Sequence, residues 1–289
     1  INFMKNKIYK VGGLFSGVGG IERGFSIKNK FEIAWATDFD KYSAKTYRRN
    51  YRHKFIEEDI NKLSGKSLEE VDVLVGGFPC QAFSVAGYQK GFEDERGNVF
   101  FQIIRIINEL PKKPKVLLLE NVKNISTHDK KRTFKIIQQT LEENDYCVFS
   151  DILNTCQYTK IPQNRERTFI TCFLEGMHAF LDPQQPMSTF FQKNPLKKVS
   201  KVDNLSDYLQ DEPVDEKYYY RQDKYNYKEL ASSIKKKNTA YQWRRVYVRE
   251  NKSGVCPTLT ANMGTGGHNV PLILDDDGIR KLTPRECFN

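Results

Sequence analysis

Three kinds of reactive side chain recur in this sequence where a thiol nucleophile would need them. Cys80 follows the apolar run Val71–Gly76 in the segment Gly76-Gly77-Phe78-Pro79-Cys80-Gln81. A structural cysteine would sit within such a run; this one lies just past its end, beside a proline and among glycines. Glu120 closes the apolar run Val116–Glu120, and Arg165 and Arg167 stand in Gln163-Asn164-Arg165-Glu166-Arg167. Taken singly, Glu120 reads as a helix-start acid and the arginines as solvated charges. Together they supply a thiol, a carboxyl and cations around one pocket. The cations favour the thiolate, the form that attacks.

A second group of residues suits a nucleoside. Phe15-Ser16-Gly17-Val18-Gly19-Gly20 follows the first apolar run, and glycines there let backbone approach a cofactor closely. Asp38 ends the next run, where a carboxylate can accept hydrogen bonds from ribose hydroxyls. Asp59 lies within reach of an adenine amino group. A dinucleotide fingerprint would need glycine at position 22; Glu22 stands there instead and would crowd a pyrophosphate. A cofactor without phosphates fits better.

The elements that must position these residues alternate. Strands are expected at Ile8–Phe15, Phe31–Thr37, Val71–Gly76, Val116–Glu120, Tyr146–Leu153 and Arg167–Phe173. Helices are expected at Lys41–Tyr51, Phe100–Leu110 and Thr133–Asn144. That alternation predicts an α/β fold, a doubly wound and mostly parallel sheet with its ligand at the carboxyl ends of the strands. From about Leu181 the chain becomes turn-rich and polar, with poor helical periodicity. The expected division is a catalytic and cofactor-binding domain over 1–180, a smaller irregular domain over 181–274, and a return segment over 275–289.

Composition narrows the setting. With 39% hydrophobic and 28% charged residues the chain can bury a core, and no apolar run is long enough to span a bilayer. No membrane role is expected, and INFMKNKIYK lacks the features of a signal peptide, so a cytoplasmic protein is expected. Six cysteines without a CxxC pair and four dispersed histidines give a metal site no support. A net charge of +10 favours a polyanionic partner.

FSGVGG, GGFPCQAFS, LENV and QNRER, in that order, closely resemble the bacterial DNA (cytosine-5)-methyltransferases of restriction-modification systems. The resemblance runs from about Val11 to the end, where RKLTPREC resembles the family's penultimate motif. It implies a Rossmann-like fold that binds S-adenosylmethionine, releases S-adenosylhomocysteine and uses no metal. Phe15, Ser16, Gly17, Gly19 and Gly20 would line the sulfonium end of the cofactor and Asp38 would hold the ribose. Phe39 would stack on adenine, and Asp59, Ile60 and Phe78 would border the site. Cys80 would be the nucleophile, Glu120 would bond N3 and the exocyclic amine of a flipped cytosine, Arg165 would hold O2, and Arg167 would buttress the site. The residue types suit that reaction, because cytosine C5 is a poor nucleophile until a thiolate adds to C6. A stacked base cannot meet these groups, so it must leave the duplex.

Double-stranded DNA is the implied partner. Gln81–Asn98, with Gln81, Ser84, Lys90 and Arg96, reads as a loop that closes over DNA. Lys235, Arg244, Arg245 and Arg249, interleaved with Tyr241, Trp243 and Tyr247, read as phosphate anchors. Thr258, Thr260, Asn262, Gly266 and His268 suit base edges, and the resemblance marks this threonine-leucine segment as the heart of target recognition. An RNA-directed relative is the nearest rival, and a catalytically inactive DNA-binding regulator the next. The sequence departs from the family pattern at Gly13, where an acidic or small polar residue is common. It also ends at Phe288-Asn289 without the family's last motif, so a C-terminal fragment or second subunit carrying that motif is expected.

Overall fold

Short apolar runs separated by helix-length segments dictate a sheet with crossover helices. The computed structural model describes residues 7–79, 99–176, 195–224, 226–244, 246–260, 263 and 270–288, and it has this arrangement. In chain order the first elements are β1 (Tyr9–Leu14), α1 (Gly20–Ser26), β2 (Phe31–Asp38), α2 (Lys41–Asn50) and β3 (Phe55–Glu57). There follow β4 (Val73–Gly77), α3 (Val99–Glu109), β5 (Val116–Val122), α4 (Arg132–Glu142), β6 (Tyr146–Asn154), α5 (Thr155–Tyr158), β7 (Gln163–Asn164) and β8 (Glu166–Leu174). The expected strands and helices of this half are present to within a residue or two at most ends.

The main sheet has the order β3-β2-β1-β4-β5-β8-β6. The pairs from β3 through β5 are parallel, and β8 runs antiparallel to β5. From β1 the chain winds outward to β2 and β3, then returns to place β4 on the other side of β1. The carboxyl ends of β1 and β4 therefore flank the point where the winding reverses, which is where open α/β sheets bind ligands. On α3 the buried residues Phe100, Ile103, Ile104, Ile106 and Ile107 recur at spacings of three and four, so one face meets the sheet. Each such side chain stabilises the fold by about 1.5–3 kcal/mol relative to exposure. Fully buried Trp35 on β2 lies across β1, and a side-chain carbon on Gly12 would fall 2.4 Å from its ring. Glycine at position 12 is thus a packing requirement.

Two compact units result, one of Ile1–Ile152 with Arg167–Pro195, the other of Leu153–Glu166 with Leu196–Asn289. These boundaries differ from the expected 1–180, 181–274 and 275–289. Leu153–Glu166 leaves the first unit because β7 pairs in parallel with β11 (Cys256–Pro257), and Cys256 N donates to Pro162 O at 2.7 Å. Residues 275–288 belong to the second unit as well. Its elements include α6 (Tyr227–Ser233), β9 (Tyr241–Trp243), β10 (Val248–Glu250), β12 (Pro271–Leu274), β13 (Ile279–Lys281) and α7 (Pro284–Phe288). An antiparallel sheet of order β10-β9-β12-β13 packs its Tyr241 and Leu272 with Leu230 and Ile234. Its strands are only three or four residues long, too short for alternation to register in the sequence.

Arg280 anchors this unit from a position only 2% exposed. Its Nη1 and Nη2 each donate to Glu286 at 2.8 Å, and its Nε donates to Asp275. Thr283 and Glu286, at the Thr-x-x-Glu spacing of a capping box, form one: Thr283 N donates to Glu286 Oε2 at 2.8 Å, and Glu286 N donates to Thr283 Oγ1 at 3.3 Å. Burial alone would raise the Glu286 carboxyl, but the hydrogen bonds from Arg280 and the Thr283 and Gln210 amides hold it below the ordinary value. Glu286→Ala should cost about 3 kcal/mol in urea unfolding at neutral pH, because it leaves the buried Arg280 charge with Asp275 as its one remaining carboxylate among the described residues. Since the folded carboxyl binds its proton less tightly than the unfolded one, this contribution is present above the ordinary glutamate value near 4.5. It fades as pH falls through the depressed folded value. Unfolding curves of the two proteins should therefore converge in acid.

Candidate active site

The glycine loop is held from below by β2. Ser16 N donates to Thr37 O at 2.9 Å, Gly17 N donates to Asp38 Oδ2 at 2.8 Å, and Asp40 N donates to Asp38 Oδ1 at 2.9 Å. Asp38 is thus fixed by two backbone amides, and a carboxylate has lone pairs left for a ribose. Gly17 (φ 53) and Gly19 (φ 91) adopt left-handed backbone, which glycine takes without strain. Phe15 takes the same region at φ 54, a conformation that costs about 1–3 kcal/mol without a glycine. It turns the chain sharply out of β1, and its ring packs against the main core. Gly20 opens α1, and Phe39, 72% exposed, offers a free aromatic face beyond the end of β2.

Asp59 and Ile60 follow β3. Asp59 Oδ1 accepts from Asn61 N and Nδ2, each at 2.9 Å, and Arg105 Nη2 donates to Ile60 O at 2.6 Å. Arg105 also pairs with Glu109, whose carboxylate accepts Gly65 N at 2.7 Å. This clamp escaped the sequence reading; its only signal was the i,i+4 Arg–Glu spacing on α3. An exposed ring, a fixed carboxylate and an open-backed glycine loop around the reversal point fit a nucleoside cofactor. Buried Ser16 Oγ and both Glu22 carboxylate oxygens, none with a hydrogen-bond partner, fit one that brings donors of its own.

The rim that carries Glu120 and Arg167 is set by strand register. Gly77 on β4 pairs with Glu120 on β5, and β8 brings Arg167 opposite Val122. Arg167 Nε lies 3.0 Å from Glu120 Oε1, with the two side chains 17% and 20% exposed. The missing side chain at Gly77 leaves room beside that carboxylate, since a carbon there would fall 3.4 Å from Glu120 Oε2. Phe78 is buried in the core, and its carbonyl accepts from the Asn121 Nδ2 amide at 2.9 Å. Asn121, itself 1% exposed, tethers the chain two residues before Cys80, a role the sequence reading did not assign.

Cys80, Gln81, Ser84, Lys90, Arg96, Arg245, Asn262, Gly266 and His268 lie outside the described residues. Among the described cysteines, burial pushes Cys256 up to about 12 and Cys287 up to about 11, and raises Cys147 and Cys172. None of these four is suited to act as a thiolate.

Arg165 belongs to the second unit and Arg167 to the first. Arg165 N donates to Asn154 Oδ1 at 3.1 Å and its guanidinium to Leu259 O at 3.4 Å. Thr258 Oγ1 donates to Asn164 O at 2.8 Å, so the threonine-leucine segment is stitched to QNR. Thr260 O accepts Met263 N at 3.1 Å. In the basic stretch Lys235 and Arg249 are exposed and Arg244 is half-buried, while Lys236 is paired with Glu250 and Lys237 with Asp276. Val246 and Tyr247 are exposed at the turn between β9 and β10.

This doubly wound sheet, with a nucleoside-shaped loop at its reversal point and a carboxyl–arginine pair one strand away, defines a Rossmann-like methyltransferase. The chain belongs to the C-5 cytosine-specific DNA methylases, a family that matches residues 9–289. It is 49% identical to the Type II methyltransferase M.Bsp6I of Bacillus sp. (strain RFL6), over 97% of this chain and 86% of that protein. It is 36% identical to the Type II methyltransferase M.HhaI of Haemophilus parahaemolyticus, over 95% and 80% respectively. The S. pombe Dnmt2 methyltransferase shares the fold, with a TM-score of 0.71 at 19% identity over 96% of this chain and 85% of that one. Among the described residues no helix is long and apolar enough to cross a membrane.

Asn121→Ala should lower stability by about 1–3 kcal/mol, the cost of leaving the buried Phe78 carbonyl without its donor. Urea unfolding would register the loss. A change below a few tenths of a kcal/mol would mean that the tether is idle.

Proposed function

We propose that this protein is the cytoplasmic modification enzyme of a restriction-modification system, flipping a cytosine out of duplex DNA and methylating its C5. The observation that carries the reading is the pairing of Gly77 with Glu120. Cys80 follows Gly77 by three positions in the sequence. The sequence GGFPCQAFS and the Type II methyltransferase names of the relatives support the same reading.

When bound, S-adenosylmethionine supplies an electrophilic methyl carbon on a sulfonium. Asp38 holds the ribose, the loop from Phe15 to Gly20 lies along the sulfonium end, and Phe39 stacks on the adenine. Asp59, Ile60 and Phe78 border the same site. The Cys80 thiolate adds to C6 of the flipped base and makes C5 nucleophilic. Glu120 bonds N3 and the exocyclic amine and so draws off the developing charge, while Arg167 fixes the orientation of that carboxylate. Arg165 holds the base through O2. After the methyl group is on C5, loss of the C5 proton restores the ring double bond and expels the Cys80 thiolate. Lys235, Arg244, Arg245 and Arg249 anchor phosphates, with Gln81, Ser84, Lys90 and Arg96 on the loop beyond Cys80. Thr258, Thr260, Asn262, Gly266 and His268 choose the sequence.

Duplex DNA with 5-fluorocytosine at the target should trap the protein covalently, because fluorine cannot leave as the proton does. The adduct should survive SDS and need S-adenosylmethionine. Cys80→Ala should abolish it and keep DNA binding; a variant that still methylates would refute the mechanism. Parallel assays on DNA and transfer RNA separate this reading from an RNA-directed one, with methyl incorporation expected in DNA.

Exchanging Thr258–His268 for the matching segment of a relative should redirect or abolish site choice with cofactor affinity unchanged. Lys235→Ala should instead weaken binding to all sequences and reduce the slope of log affinity against log salt by about one. Salt titrations by fluorescence anisotropy distinguish the two outcomes.

A further inference from the structure

Glu22 is a buried carboxyl with little but the Ser16 hydroxyl beside it. It lies on α1 with 1% of its surface exposed, and neither of its oxygens meets hydrogen-bond geometry with a partner among the described residues. Ser16 Oγ is likewise buried and unpartnered. The two groups crowd the same spot: a side-chain carbon on Gly13 would fall 2.1 Å from Glu22 Oε1 and 2.7 Å from Ser16 Oγ. A carboxyl buried beside little more than one hydroxyl is costly, and an apolar side chain of similar size would fill the space more cheaply. Burial accordingly pushes Glu22 above the ordinary carboxylate range. Oxygens kept in the wall of a ligand site at such a cost point to a ligand that brings positive charge.

The order of the strands says which part of the ligand passes there. β1 lies between β2, which ends at Asp38, and β4, which leads to Cys80. A cofactor with its ribose at Asp38 and its methyl group delivered towards Cys80 must cross β1. Its amino-acid arm then lies against the loop that Ser16 and Glu22 support. We propose that Glu22, with Ser16 Oγ beside it, is the counter-charge for the α-ammonium of S-adenosylmethionine. This rests on reading the loop as the cofactor site. It also gives the selectivity a physical basis, since the carboxyl that attracts an ammonium repels a phosphate.

Calorimetry with S-adenosylhomocysteine and with 5′-methylthioadenosine, which lacks the amino-acid arm, tests the assignment. Glu22→Gln keeps the shape and removes the charge. It should weaken S-adenosylhomocysteine ~10- to 100-fold, the factor expected for one charge-assisted contact, and leave 5′-methylthioadenosine unchanged. The melting temperature should stay the same or rise, as a buried carboxyl is removed. In the unaltered protein, an S-adenosylhomocysteine analogue with hydrogen in place of the α-amino group should bind weakly by the same factor, a result that does not depend on the variant folding. Equal loss of both ligands in Glu22→Gln, or an unaltered protein indifferent to the amino group, would overturn the proposal alone. Failure of S-adenosylhomocysteine to bind the unaltered protein would overturn the cofactor reading beneath it.

Discussion

Parallel pairing of β1 with β4 is the constraint on which the rest of the first unit depends. Val11 to Leu14 run alongside Val73 to Gly76 in register, so the two strands end at the same level. Because the chain winds away from them in opposite directions, neither carboxyl end is covered by the other's crossover. The glycine loop leaves one end and the Gly-Phe-Pro-Cys segment leaves the other. On the other side of β1, Gly12 pairs with Trp35 of β2, and a slip that put Val11 in its place would press a side chain into a ring that has no room for it.

The same register argument extends one strand further. β5 carries Glu120 to the level of Gly77, and antiparallel β8 returns Arg167 to the same rim. Arg167 Nε lies 3.0 Å from Glu120 Oε1, so the guanidinium fixes where the carboxylate points. Asn121, next in the strand, faces the opposite way and ties down the Phe78 carbonyl. Successive residues of a strand point to opposite faces, which is how one dipeptide serves both the site and its support.

The second unit follows a different logic. Its apolar core is small, and much of its order comes from polar contacts: the Arg280–Glu286–Asp275 cluster, the Thr283 capping box and Gln210 N on Glu286 at 3.1 Å. Such a network favours one arrangement of short strands that hydrophobic burial alone would hold loosely. The segment around Thr258 is joined to Gln163–Arg165 by the β7–β11 ladder and by the Thr258 Oγ1 hydrogen bond to Asn164 O.

The sequence by itself determined the winding of the first unit, because its strands and helices are long enough for their periods to show. It also marked Cys80, Glu120, Asp38 and the glycine loop, since those residue types stand at strand ends, where a linear reading can find them. The TPRE capping box was legible for the same local reason. Contacts between residues far apart in the chain were decided only in three dimensions. Leu153–Glu166 joins the second unit through Pro162 and Cys256, nearly a hundred positions apart, and nothing in either segment names the other. The short strands of that unit carry too few residues to display alternation. Glu22 looked like an obstacle to phosphate, and only folding showed its oxygens unpartnered in the space above Gly13. Burial and the lack of a partner are properties of the packed chain, set by which distant groups arrive and which do not.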